Sequence, residues 1–410
     1  MATRSPATAI IILLSVCVFF LAWTSMFQVC LCVTPDLKLS NEVAGSTKVV
    51  ADTLSAENDK DQLTVGDVEE RHSFSVSKSP IDMNCPRFAT MKHTGNAGLG
   101  HKLTEVIFGM IIAEETNSTF LLDDTIWNHV GNHGSYDWLM NFLPLNETEF
   151  TMSEFARISK DNPIPTVLDR WDGLVDQSKN ESNACNVLFM TYLHWCCDSA
   201  NICYCTTQQA RIGTFDRVKW RMQEAFSRSK YVPSLSLLDL GKLPKHEPIL
   251  TIVWHVRQGD IVLNAQKEHF DNLSSQITSV LSIGKIPVHV FIYGEGEVFE
   301  KFPFLPDLCQ QYFGGNCSYP TLDVRDSLYY MTESDVLITS GSSFPIIAAV
   351  LRTGGVVLYE YPKENVLGIY ELADHGIIDR DGMITTPSMK DLQYRFQLIF
   401  NQKMKKLRNS

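Results

Sequence analysis

Between residues 249 and 359, short runs of unbroken apolar residues alternate with amphipathic stretches, and this alternation constrains the chain more than any other feature. The runs 249–256, 288–293, 336–339 and 356–359 are rich in Val and Ile and too short for helices, so they read as strands. The stretches 273–281, 327–332 and 344–351 between them read as helices. A strand that is apolar throughout is buried on both faces, which requires helices on both sides of the sheet. The fold class is therefore α/β with a parallel sheet and crossover helices. Ligands of such sheets bind beyond the carboxyl ends of the strands, so the residues after each strand are the first place to look for chemistry. Before Pro244 and Pro248, which mark a break, 103–115 and 215–229 read as helices and 119–122 as a strand.

The N-terminus is of another kind. Residues 5–35 carry no charge and their core, 10–33, is long enough to span a bilayer, which takes about 20 apolar residues. Arg4 precedes it and Asp36 and Lys38 follow, which reads as a signal anchor leaving the body in the lumen. The rival reading is a cleaved signal peptide and a secreted body. Residues 36–80 contain one aromatic, Phe74, and are mostly polar, so they read as a stem unable to bury enough apolar area to fold. The expected organisation is a cytoplasmic tip and anchor over 1–34, a stem over 35–80, an N-terminal acceptor-side domain over 81–243, a donor-binding domain over 244–385 and a C-terminal helix over 386–410. The ordered body is expected from near Cys85, and the last helix is expected to pack across onto the first domain.

Five sequons, at Asn117, Asn146, Asn180, Asn272 and Asn316, agree with a lumenal body. Cys17, Cys30 and Cys32 lie in the apolar N-terminus; the other eight cysteines fit a disulfide-bearing domain in an oxidising compartment. Cys309 and Cys317 are placed to close a short loop. Cys196, Cys197, Cys203 and Cys205 lack the paired spacing of a zinc site and read as disulfide-bonded. A net charge of −12 argues against a broad nucleic-acid surface.

Three motifs carry chemistry. Residues 251–260, T-I-V-W-H-V-R-Q-G-D, put His255, Arg257 and Asp260 at the end of a strand, where the planar donor fork of Arg suits phosphate oxygens; an Arg–Asp pair pinning a loop is the plain alternative. Residues 338–344, I-T-S-G-S-S-F, follow a strand and open a helix, so Ser342 and Ser343 can cap it and its free amides attract phosphate. Residues 95–103, G-N-A-G-L-G-H-K-L, are a glycine-rich turn before a helix. Their spacing, G-x-x-G-x-G, and the lack of a long hydrophobic strand before them argue against a dinucleotide-binding fingerprint. Asp379-Arg380-Asp381, before Gly382, reads as a turn rather than a metal-binding D-x-D.

Together the three motifs resemble those of the GDP-fucose-dependent α1,2-, α1,6- and protein O-fucosyltransferases. His255-Val-Arg257-Gln258-Gly259-Asp260 resembles that superfamily's H-x-R-R-x-D signature. Asp326-Ser327-Leu328, Met331 and the run 334–344 resemble its D-x-L-x-x-M…S-S-F-S region, and Gly98-Leu99-Gly100-His101 resembles its G-G-L-G-N loop. The resemblance covers about residues 85–385. It implies a GT-B fold, two Rossmann-like domains facing a cleft, here behind an N-terminal membrane helix. It also implies an inverting transfer of fucose from GDP-fucose to a glycan hydroxyl, with no cofactor and no catalytic metal; the anchor, stem and body are the layout of a Golgi type II enzyme, which membrane-tethered receptors share. By position, Arg257 would hold the β-phosphate and His255 would help set that loop. Ser342, Ser343 and Phe344 would line the phosphate and nucleoside side, Asp326 would contact guanine or ribose, and Gly98 and Gly100 would close over the sugar. Where the family often has a second Arg, this chain has Gln258. That departure keeps two alternatives open, a transferase for another sugar nucleotide and an inactive lumenal glycan-binding or assembly protein. Asp260, Glu268 and His269 are the candidates for a catalytic base.

Overall fold

The computed structural model describes residues 78, 81, 84–92, 98–124, 136–158, 166–169, 185, 187–192, 214–257, 267–294, 298–360 and 375–409, all within one compact unit, Val76–Ser410. The anchor reading for 10–33, the sequons at Asn180, the cysteines from Cys196 to Cys205 and the residues Gln258, Gly259 and Asp260 lie outside them. Among the described residues no helix is long and apolar enough to cross a membrane.

The chain builds two parallel sheets. The first holds β1 (Arg87–Lys92), β2 (Thr119–Leu122), β3 (Phe150–Thr151), β4 (Thr166–Asp169) and β5 (Val187–Tyr192) in the order β3-β2-β1-β5-β4. Between these strands come α1 (Leu99–Glu115), α2 (Tyr136–Phe142) and α3 (Met152–Ile158). After β5, α4 (Thr214–Ser227) and α5 (Leu237–Leu240) lead to the break at Pro244. α1 is buried almost all round, from Leu99 to Ala113, which explains why its sequence is more apolar than a one-sided helix needs. It begins four residues before the expected start at 103.

The second sheet follows β6 (Leu250–Val256), α6 (Lys267–Gly284), β7 (Val288–Gly294), α7 (Val298–Lys301), α8 (Leu305–Phe313), β8 (Cys317–Ser318), α9 (Val324–Glu333), β9 (Val336–Thr339), α10 (Ser343–Leu351), β10 (Val356–Glu360), β11 (His375–Ile378), β12 (Ile384–Thr386) and α11 (Met389–Asn409). Its strand order is β12-β11-β10-β9-β6-β7-β8, parallel except for β12. All seven residues of β6 are buried, as its apolar run requires. Alternate residues serve two cores. Ile252 and Trp254 pack with α6 residues such as Leu273 and Ile277, whereas Val253 packs with Leu337, Ile347 and α1 residues such as Leu103. One core thus runs from the second sheet into α1, and it positions the site.

One expectation, the packing of the last helix, is corrected, and two are made finer. The strand that precedes the glycine-rich turn is β1, short and mixed in polarity rather than long and hydrophobic, with Phe88, Ala89 and Met91 buried. Its sequence, R-F-A-T-M-K, mixes polar residues into a strand buried on both faces, where Arg87 donates to the Thr116 carbonyl at 3.1 Å and Thr90 to the Leu121 carbonyl at 2.8 Å. Those partners come from elsewhere in the chain, so the run does not look apolar. The last helix, α11, packs on α6 in the second half, with Leu392 and Phe396 buried there. Lys403 Nζ donates to the Ile249 carbonyl at 2.8 Å and pairs with Asp335, which ties the helix to the starts of β6 and β9. Packing also reaches Ile81, at the expected start of the first domain, and Lys78, in the expected stem, pairs with Glu154 of α3 at 2.6 Å.

Disulfides join Cys85 to Cys185 and Cys309 to Cys317, the second as expected. The Asp379–Gly382 segment is the turn between β11 and β12. Asp379 Oδ1 accepts from the amides of Asp381 at 3.0 Å and Met383 at 2.8 Å, and Gly382 takes φ +81°, where glycine meets no steric cost.

Candidate functional site

β6 comes first in the second half yet lies in the middle of its sheet. β7 and β8 extend to one side, and β9, β10 and β11 to the other. Crossovers therefore leave in opposite directions beyond β6 and β9, and the crevice between their carboxyl ends is where such sheets hold ligands. His255 and Arg257 sit at this point.

His255, the penultimate residue of β6, is buried against Phe344, ring centroids 6.0 Å apart, and Tyr293, 6.5 Å apart. Its Nδ1 lies 2.7 Å from Ser340 Oγ at the end of β9. Burial, reinforced by the charge of Arg257, pushes its pKa down to about 4. At neutral pH His255 is therefore uncharged, and Arg257 supplies the positive charge at this strand end. Arg257, just past β6, donates from Nη1 to Ser342 Oγ at 2.6 Å. Ser342 is the N-cap of α10, its hydroxyl also accepting from the Phe344 amide at 3.4 Å. The guanidinium thus stands at a helix N-terminus, where free amides and the helix dipole already favour an anion.

The glycine-rich turn reaches the same place from the first half. A Cβ on Gly100 would lie 2.6 Å from both the amide nitrogen and the Cα of Phe344, so only glycine lets α1 approach the start of α10 this closely. Gly98, at the N-cap of α1, is exposed and has no atom within 4 Å of an added Cβ. His101 Nε2 lies 3.2 Å from Glu105 Oε1, and Lys102 beside it is almost wholly buried, its pKa pulled down by that burial against the charges of Glu105 and Asp123.

A small recess opens at the carboxyl ends of β6, β9 and β10. His255, Arg257, Ser340 and Glu360 form its polar side, and Trp254 and Phe270 are among its apolar walls. Glu360, the last residue of β10, is a carboxylate the motifs did not single out. The rule that marks Arg257 after β6 marks Glu360 equally, because both follow apolar strands. Glu268 is exposed in the first turn of α6, away from the recess lining. Asp326, on α9, accepts from the Tyr231 hydroxyl and also lies outside that lining; burial and Asp326 push the Tyr231 pKa up. Asn117 is exposed at the end of α1, Asn146 is half-buried, and Asn272 donates to the Asp381 carbonyl at 2.8 Å. Asn316 is exposed beside the bridged Cys317. No cluster of potential metal ligands occurs among the described residues.

No family model matches the chain, and no curated protein matches it. Solved structures do. A glycosyl transferase family 9 protein from Veillonella parvula DSM 2008 is 9% identical, with 77% of this chain and 97% of that chain covered and a TM-score of 0.38. The E. coli ADP-heptose heptosyltransferase II is 10% identical, with 78% and 99% covered and a TM-score of 0.38. POFUT1 in complex with GDP-fucose is 11% identical, with 67% and 98% covered and a TM-score of 0.34. At this level of likeness no residue role passes from them to this chain.

Proposed function

We propose that the protein is a nucleotide-sugar glycosyltransferase of GT-B type that moves fucose from GDP-fucose to a glycan hydroxyl with inversion. The observation that carries this reading is the meeting of three motifs far apart in sequence. Arg257 bonds Ser342 at 2.6 Å, His255 bonds Ser340 at 2.7 Å, and Gly100 abuts the backbone of Phe344. The motifs that resemble one transferase superfamily thus converge on the switch point of a parallel sheet. A structural Arg–Ser tie alone would not require a glycine from the other half of the chain at the same helix start.

In this reading the acceptor oxygen forms a bond to C1 of the sugar as the bond from C1 to the β-phosphate oxygen breaks. The electron pair of the broken bond goes to the diphosphate, where the Arg257 guanidinium and the first amides of α10 oppose the growing negative charge. The acceptor proton goes to a base, for which Asp260, Glu268 and His269 are the candidates the sequence offers. Domains 81–243 and 244–385 would serve acceptor and donor, with the body held in the Golgi lumen by the N-terminal segment. The two disulfides suit that oxidising compartment.

The test uses the full chain purified in detergent without added metal. GDP release from GDP-fucose is followed against a mixed glycan panel, with Arg257→Ala as the comparison. Acceptor-dependent release that the variant lacks is the expected result. Absence of both release and calorimetric GDP binding in the unaltered protein would refute the reading, and binding without turnover would favour the inactive glycan-binding alternative.

A further inference from the structure

The Asp379–Gly382 turn is more than a connection, because it is fastened to α6 at several points. Asn272 donates to the Asp381 carbonyl at 2.8 Å, and Gln276 donates to the Gly382 carbonyl at 3.0 Å and accepts from the Ile384 amide at 3.0 Å. Gly382 lies so close to the His269 carbonyl that no side chain fits there. The turn therefore closes over His269, which is buried in the first turns of α6.

His269 then links the turn to the recess. Its Nδ1 lies 3.1 Å from the Arg380 carbonyl, and its Nε2 lies 2.8 Å from Glu360 Oε1. The second approach is off-line, so it is a charge contact rather than an aligned hydrogen bond. A carbonyl only accepts, so Nδ1 carries a proton. With Nδ1 protonated, Nε2 can face a carboxylate favourably only if it too carries a proton. Burial opposes that charge, but Glu360, the Arg380 carbonyl and Asp379 outweigh it and hold the His269 pKa above its ordinary value. Glu360 thus has His269 behind it, the contact favouring the charged imidazole, while it lines the recess that Arg257 and Ser340 share.

A carboxylate at the edge of a diphosphate site repels the phosphates, so the partner it suits is a hydroxyl, to which an ionised carboxylate accepts a strong hydrogen bond. We infer that Glu360 is a specificity-determining residue that accepts from a hydroxyl of the bound nucleotide sugar, and that His269, clamped by the β11–β12 turn, is the positioning residue that aims it. This rests on the nucleotide-sugar reading of the recess. The hydroxyl belongs either to the nucleoside ribose or to the transferred sugar.

The experiment measures binding to the full chain by calorimetry, with GDP, 2′-deoxy-GDP, 3′-deoxy-GDP and GDP-fucose, and with ADP and UDP in parallel. Glu360→Gln is expected to weaken binding roughly ten- to a hundredfold, the loss of one hydrogen bond to a charged acceptor. If the loss appears with GDP, and a deoxy nucleotide is weakened in the unaltered protein but no further by the variant, the hydroxyl is on the ribose. If it appears with GDP-fucose but not GDP, the hydroxyl is on the sugar. His269→Gln is the positioning test. The groups that face His269 are Glu360 on β10 and Asp379 on the turn, with Arg257 and uncharged His255 across the recess. Affinity of the unaltered protein should fall as pH rises through the raised His269 pKa, and the variant should be weaker and flat over that range. Glu360→Gln that binds every ligand as the unaltered protein does, whatever its melting temperature, overturns the inference, as does an unchanged pH profile in His269→Gln. If ADP or UDP binds and GDP does not, the guanine part of the functional proposal fails while Glu360 is tested on that nucleotide. If none binds, both fail.

Discussion

Gly100→Ala tests the contact that joins the two halves of the site. The new methyl carbon would stand 2.6 Å from the amide nitrogen and Cα of Phe344 and 3.0 Å from its Cβ. Carbon atoms rest at about 3.5–4.0 Å, so α1 and the start of α10 must separate by about 1 Å. Neither neighbour yields easily, because the clashing atoms are backbone and Phe344 also packs on His255. Overpacking of this kind costs about 1–3 kcal/mol. Replacing glycine by alanine in a helix returns at most about 1 kcal/mol, and less in a first turn. A net loss of about 1–2 kcal/mol in urea unfolding is expected. The functional loss should be larger, because a shift of about 1 Å in reacting groups can cost on the order of a hundredfold in rate. GDP release from GDP-fucose is therefore expected to fall far more than the fraction folded. Gly98→Ala is the stability control: it meets nothing within 4 Å and loses only a helix-cap preference of under about 1 kcal/mol in urea unfolding. A Gly100→Ala protein as stable and as active as the unaltered one would refute the close approach of α1 to α10.

Two further outcomes follow from the core. His255 has a folded-state pKa of about 4, below its ordinary 6.5, so between those values the unfolded chain binds a proton that the folded chain refuses, and stability falls as pH falls. The interval amounts to as much as about 3 kcal/mol; urea unfolding at pH 7.5 and 4.5 should show a smaller pH loss for His255→Gln, and equal losses would count against a neutral buried imidazole. The disulfides differ in the loops they close, with sequence separations of 100 for Cys85–Cys185 and 8 for Cys309–Cys317. Chain entropy assigns them about 4.7 and about 2.5 kcal/mol, so replacing the first pair by serine should cost more in chemical unfolding, and the reverse order would show that loop closure is not the main contribution.

Much of the second half was legible because its strands are buried on both faces, so that apolar continuity alone marks them. The strand at 336–339 and the one at 119–122 have the bounds expected for them, and the helices at 324–333 and 343–351 extend their expected cores by a few residues. The residues after β6 and β9 were legible as candidates for the same reason. β1 was not, since Arg87 and Thr90 are satisfied by carbonyls 29 and 31 residues away and no local pattern announces such partners. The first turns of α6 were missed because Lys267 and Glu268 are exposed and polar, while His269 and the Asn272 side chain answer to a turn more than a hundred residues later. By itself the sequence determined an α/β chain with a parallel sheet, because burial on both faces is written into each residue run, and it marked the strand ends as the candidate places for chemistry. Only the tertiary structure decided that β6 lies between β9 and β7, that Gly100 meets Phe344 and that Glu360 faces the recess with His269 behind it. Those facts depend on which distant segments share a sheet edge, and strand order is set by the packing of whole layers rather than by any one segment's pattern.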